Sequence, residues 1–165
     1  NQKKFLVGLI IMILGAFIMV FDYPKIEYFN YLENDIYQIL ENDKKEILLL
    51  FKKKGGYYET PGGKVRELNP TLEDLKNAAL RETGEEVGKS IKVGELKIFS
   101  EMEFTIPDGR QAKLTKFLAK SFTGEPKLME PEIFDHFKWI PIRDLEKYTL
   151  SPDLKELTPK LKQLL

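Results

Sequence analysis

Residues 63–88 read GKVRELNPTLEDLKNAALRETGEEVG, and along this stretch one helical face changes character. Thr71, with Asp74 three positions on, forms a variant of the capping box and predicts a helix start. Leu72, Leu75, Ala78 and Ala79 then recur at helical spacing, an apolar stripe that needs a core to cover it. The same stripe, continued, runs into Glu82 and Glu86, with Glu85 beside them. At i, i+3 and i+4 these three carboxylates share one face. Gly88 predicts the helix stop. Any fold of this chain must therefore hold a helix whose buried face ends in three negative charges.

Such a cluster is placed at a double disadvantage. The carboxylates repel one another, and they stand near the negative end of the helix dipole. A hard divalent cation is the natural partner, because Mg²⁺ and Mn²⁺ favour oxygen ligands and Mg²⁺ is commonly held by carboxylates together with substrate phosphates. The bland alternative is a solvated acidic helix end paired with lysines.

Around this helix the pattern is mostly strand. Residues 35–41 alternate, with Ile36, Gln38 and Leu40 opposite Tyr37, Ile39 and Glu41. Residues 46–51, EILLLF, form a continuous apolar run suited to a strand buried on both faces. Lys52, Lys53 and Lys54 lead into Gly55 and Gly56, read as a solvated hairpin tip or a loop able to approach phosphates. Tyr58 is read either as a substrate contact, stacking on a base, or as core packing. A hairpin is expected over 96–122, turning at Pro107, Asp108, Gly109 and Arg110. A last strand is expected at 137–140 and a short helix at 142–148. A terminal helix starts at Ser151 and Pro152, with Pro159 expected to kink or divide it. These elements predict α/β or α+β layers.

Residues 5–21, FLVGLIIMILGAFIMVF, are apolar without a break, and Asp22 ends the run. As a helix it would be ~25 Å long, close to the ~30 Å hydrocarbon core of a bilayer. The expectation is an N-terminal transmembrane anchor over 1–22, a linker over 23–30 and a folded domain over 31–165; a secretory signal is the alternative. The expected localisation is the membrane, through a single-pass anchor. Lys3 and Lys4 against Lys25 favour an outside domain, but so small a difference leaves the side open.

Composition narrows the function classes. Twenty-six basic and 26 acidic residues cancel, which leaves no electrostatic case for a general nucleic-acid partner. With no Cys, disulfide scaffolds, thiolate catalysis and Cys-based zinc sites are excluded. The one His, His136, is read as an ordinary strand residue.

RETGEEVG at 81–88, Glu73 with seven residues between it and Arg81, and Gly62 and Gly63 after Pro61 together resemble the Nudix box, G-x5-E-x7-R-E-U-x-E-E-x-G-U with U bulky and apolar. Glu73, Arg81, Glu82, Glu85, Glu86 and Gly88 match in identity and spacing. Three features depart from the pattern. Nine residues rather than five separate Gly63 from Glu73, Thr83 stands at an apolar position, and Lys89 stands at another, where Ile91 can take over the packing. The resemblance covers about 31–148 and implies a Nudix-like sandwich, a mixed β-sheet between helices, to which the sequence adds the N-terminal transmembrane helix.

The resemblance also implies the chemistry: hydrolysis of a nucleoside diphosphate linked to another moiety, such as an NTP, a nucleotide sugar or ADP-ribose, with Mg²⁺ or Mn²⁺. Its metal ligands would be the Gly63 carbonyl, Glu82, Glu85 and Glu86. The catalytic set would be Glu82, Glu85 and Arg81, with Arg81 orienting a glutamate and Glu73 its structural pair in the box. Glu130 or Glu132 would be a second base or ligand. The partners implied are a small nucleoside diphosphate derivative and, through residues 5–21, a membrane; no oligomeric state is specified. Hydrolysis of a lipid-borne diphosphate and a non-catalytic Nudix-fold binding module are the alternatives.

Overall fold

The computed structural model describes residues 6–9, 20–23, 33–105 and 109–165. The chain divides into two units, Asn1–Tyr31 and Leu32–Leu165. In the first, strands β1 (Leu6–Leu9) and β2 (Val20–Tyr23) pair antiparallel, Leu6 opposite Tyr23 and Leu9 opposite Val20. This corrects the expected transmembrane helix. Both ends of the apolar run are strand, and among the described residues no helix is long and apolar enough to cross a membrane. The physical reason lies in the composition of the run. It is rich in Val, Ile and Phe, which favour strands, and apolar character by itself does not distinguish a helix from a strand. The middle of the run and the linker at 24–30 lie outside the described residues.

The second unit begins with β3 (Glu33–Leu40). Asn42 Oδ1 then accepts from the backbone N–H groups of Lys44 and Glu46, each at 3.0 Å, closing the turn into β4 (Glu46–Lys52). β5 (Tyr57–Glu59) and β6 (Gly62–Lys64) precede helix α1 (Leu72–Val87). After α1 come β7 (Lys92–Val93), β8 (Lys97–Thr105), β9 (Gln111–Ala119), β10 (Phe122–Thr123) and β11 (Phe134–Pro141). A 3-10 helix (Ile142–Lys147) and helix α2 (Pro152–Lys162) complete the unit. Pro107 and Asp108 of the turn expected at 107–110 lie outside the described residues.

The larger sheet runs β6-β3-β9-β8 and is mixed, because β3 and β9 are parallel while the other pairs are antiparallel. A second sheet, β11-β4-β5, is antiparallel throughout. Alternation along the strands builds two cores. Ile36 and Leu40 of β3 and Leu48 and Leu50 of β4 pack with Ala78, Ala79 and Val87 of α1. Ile39, Ile47 and Leu49 face the other way, toward Leu154 and Leu161 of α2. The EILLLF run is continuous for this reason: both of its faces are covered. The layers are thus helix, sheet, helix, an α+β arrangement.

The ends of α1 form as the residues dictate. The Thr71 N–H donates to Asp74 Oδ2 at 2.9 Å, and the Asp74 N–H donates back to Thr71 Oγ1 at 3.2 Å. Gly88 caps the other end at φ 95°. α2 runs through Pro159 as one helix rather than dividing there.

Candidate active site

Two glycines bring the β5–β6 turn against α1. At Gly62, a Cβ would lie 2.2 Å from the Ile36 carbonyl oxygen, so only glycine lets the turn approach β3 this closely. Its N–H donates to Glu86 Oε2 at 2.9 Å. At Gly63, a Cβ would lie 2.7 Å from Glu82 Oε2, so that carboxylate rests directly on the Gly63 backbone. The longer connection from Gly63 to Glu73 therefore leaves Gly63 beside the box carboxylates.

Arg81 organises the outer part of the group. Its guanidinium reaches Glu82 at 2.6 Å and Glu85 at 2.9 Å, and donates to the Lys64 carbonyl at 3.2 Å. Glu73 lies exposed in the first turn of α1, eight residues and ~12 Å along the axis from Arg81. Arg81 thus pairs within its own end of the helix.

The late loop, between β10 and β11, joins the site through its backbone. The N–H groups of Lys127 and Met129 donate to the carbonyls of Val87 and Glu86, each at 2.9 Å. They satisfy acceptors that the end of α1 would otherwise leave open. Glu130 follows immediately and comes within electrostatic reach of Glu82 and Glu85. Glu132, which is exposed, adds to the negative field on Glu130.

Electrostatics single out Glu86. It is buried, and burial pushes its carboxyl up to about 9; the Gly62 N–H works against that rise, while Glu59, Glu130 and Glu82 add to it. Burial, then Glu132, Glu82 and Glu85, raise Glu130 as well. Glu59 is also buried, and burial raises its carboxyl despite an ion pair with Lys52 at 2.9 Å.

Among the described residues, no group of three acidic or histidine side chains is gathered tightly enough to grip an ion as it stands, since Arg81 draws Glu82 and Glu85 to itself. The donor set is nonetheless that of a hard cation: carboxylates from one helix face, another from a loop, and a backbone pressed against them. A divalent ion there would lower the cost of keeping these carboxylates ionised.

Other expected residues are placed differently. Tyr58 is buried in the α2-side core, its ring 5.0 Å from Phe51 and 5.5 Å from Tyr148. Its hydroxyl lies 2.8 Å from His136 Nε2, and Asp135 Oδ2 lies 2.9 Å from His136 Nδ1. Lys53 Nζ donates to the Pro131 carbonyl at 2.6 Å, tying the basic tip to the late loop.

Sequence reasoning passed over Gln38. Thr83, the polar departure in the box, is fully buried and donates to Gln38 Oε1 at 2.9 Å. A polar residue on the apolar side of β3 and a polar residue at an apolar box position were the two signals for this pair.

The family profile of the NUDIX domain matches residues 34–161. A search of curated proteins by sequence finds no match. Among solved structures, the chain is similar to the MutT Nudix hydrolase of Burkholderia pseudomallei, at 25% identity, with 77% of this chain and 95% of that one covered and a TM-score of 0.65. It is also similar to a MutT structure from work on Aliivibrio salmonicida and Vibrio cholerae, at 27% identity, 81% and 98% coverage and a TM-score of 0.63. The Nudix domain of Shewanella oneidensis NrtR, solved with ADP ribose, shares the fold at 16% identity, 80% and 87% coverage and a TM-score of 0.63.

Proposed function

Because the chain belongs to the NUDIX family and is a Nudix hydrolase, we propose that it cleaves the diphosphate of a nucleoside diphosphate linked to another moiety, in a reaction that depends on a divalent cation. The observation that carries this reading is the meeting of Glu82 and Glu86 with the Gly62 and Gly63 backbone, where burial, with neighbouring carboxylates adding to it, holds Glu86 far above its usual range.

The Gly63 carbonyl, Glu82, Glu85 and Glu86 would hold Mg²⁺ or Mn²⁺, with Glu130 as a further carboxylate from the late loop. Such an ion would supply neutralisation of the diphosphate charge and a lowered pKa for the attacking water. Arg81 holds Glu82 and Glu85 in fixed directions with its planar fork. Glu85, the more exposed of those two carboxylates, takes the proton of the water. The water oxygen bonds to phosphorus, the bridging P–O bond breaks, and the leaving phosphate departs with that bridging oxygen.

The test is a hydrolysis panel on the full chain, with NTPs, nucleotide sugars, ADP-ribose and dinucleoside polyphosphates in ¹⁸O-labelled water. Expected is turnover that requires Mg²⁺ or Mn²⁺ and yields a nucleoside phosphate with the label on phosphorus. Undiminished turnover in excess chelator, or cleavage at a carbon–oxygen bond, would overturn the reading.

A further inference from the structure

Lys116 sits in the middle of β9 and its side chain is fully buried, the one lysine so placed among the described residues. It faces the α2 side of the sheet, where three elements meet its ammonium. Nζ donates to Thr60 Oγ1 at 2.9 Å, lies 2.7 Å from Asp153 Oδ2 at the start of α2, and stands 4.5 Å from the centre of the Tyr37 ring on β3. Burial pushes the Lys116 ammonium down from its usual range, against the pull of Asp153 and Glu59.

A buried charge is a poor way to gain stability. Removing an ion from water costs several kcal/mol, and an apolar pair of similar volume often serves the fold as well or better. What an ammonium supplies and a methionine does not is direction: it fixes particular oxygens. Here one of them is the Thr60 hydroxyl, two residues before Gly62. Between them, the Pro61 carbonyl accepts from the Gln38 N–H at 2.7 Å, which fixes the turn to β3 as well. Beyond it, the Gly62 N–H holds Glu86 at 2.9 Å and the Gly63 backbone supports Glu82. A continuous path thus runs from α2 through Lys116 and Thr60 to the carboxylates of α1.

We propose that Lys116 is a positioning residue for the metal-binding glutamates: anchored by Asp153, it sets the turn at 60–63 through Thr60, and the turn sets Glu86 and Glu82. The inference rests on the reading of those glutamates as metal ligands. Lys116 does not touch the substrate in this scheme; it acts through backbone placement, as partners behind a metal's direct ligands do.

Thr60→Val tests it while leaving the Lys116–Asp153 pair in place and the branched shape intact. On the full chain, Mn²⁺ affinity is read by titration calorimetry, with kcat and KM read alongside. Expected is a loss of about 10–100-fold in Mn²⁺ affinity, a lower kcat, an almost unchanged KM at saturating metal, and recovery in Thr60→Ser. Lys116→Met is expected to shift metal affinity in the same direction. A role in stability alone would lower the melting temperature and leave the Mn²⁺ affinity of the folded chain unchanged. Glu86→Gln separates the two levels. If it leaves Mn²⁺ affinity intact, the ligand assignment fails and this inference with it. If it weakens Mn²⁺ binding while Thr60→Val binds Mn²⁺ like the wild type, the positioning role alone is overturned.

Discussion

The two faces of the sheet bury charge in opposite ways. On the α2 side, the Lys116 ammonium meets Asp153 at 2.7 Å and the Thr60 hydroxyl at 2.9 Å, so this buried cation finds its partners within the protein. On the α1 side, Glu82, Glu85, Glu86 and Glu130 gather around one guanidinium, Arg81, and one N–H from Gly62. The chain as a whole is neutral, so the excess on one face is a matter of placement rather than composition. The difference teaches that a functional site is found where charge is left uncompensated, not merely where it is buried. In the function proposed above, the α2 face serves as scaffold and the α1 face is the one a cation would complete.

Glu86→Gln attacks the open side and should have the largest effect. Turnover should fall on the order of 10³-fold, the scale on which removing a group that manages charge at the reacting centre acts. The metal-free protein should melt at the same temperature or higher, because Glu86, held up to about 9 mainly by burial, must take up a proton to be buried at neutral pH and glutamine need not. A metal-free form clearly less stable than wild type would mean that the α1 face, too, balances itself.

Asp153→Asn attacks the closed side. Breaking a buried pair commonly costs 3–5 kcal/mol, and with Asp153 20% exposed the loss at pH 7 should be about 2 kcal/mol. Burial acts to raise the Asp153 carboxyl, but Lys116 and the nearby hydrogen bonds outweigh it and hold it below its usual 3.8. A carboxyl lowered on folding stabilises the folded state above its unfolded pKa and loses that contribution as pH falls through the folded value. The gap between wild type and Asp153→Asn in urea melts should therefore be full above about pH 4 and shrink below it. A gap that widens in acid would break the comparison.

Thr83→Val probes the contact between α1 and β3 and should have the smallest effect. It strands the Gln38 carbonyl oxygen in the core, beside an Nε2 that already has no partner, at about 1–2 kcal/mol. Gln38→Leu combined with Thr83→Val should recover most of that loss, which a double-mutant cycle would measure. Full additivity of the two single changes would show that the pair is not coupled.

Local chemistry made much of this legible in the chain. The Thr71–Asp74 capping box, the stripe from Leu75 to Ala79, the stop at Gly88 and the two-sided EILLLF strand all follow from residues a few positions apart. The three carboxylates of the helix face were legible for the same reason. What was hidden depends on distant partners. Lys116 in KLTKFLAK reads as one polar position on a strand, because nothing nearby announces Asp153, which lies 37 residues on (153 − 116). The family resemblance pointed to Glu130, but the tie of its loop to α1 was not legible, because it runs through backbone N–H groups, which any residue but proline supplies. The N-terminal run was misread because apolar character reports avoidance of water and not conformation.

The parallel pairing of β3 with β9 also sets a timetable. Ile36 lies opposite Thr115, so the centre of the larger sheet joins segments 79 residues apart (115 − 36). On a ribosome, β3 can form its pair with β6 once residue 64 has emerged, but its other edge stays open until β9 has been made. The interval spans 55 residues (119 − 64), roughly 3–11 s at about 5–20 residues per second. During that time the nascent chain carries the box glutamates and the glycine turn, while the strand that brings Lys116 to Thr60 is still to come. An open inner edge is a template for unwanted pairing, so newly made chains are at greatest risk of sticking to one another in that window.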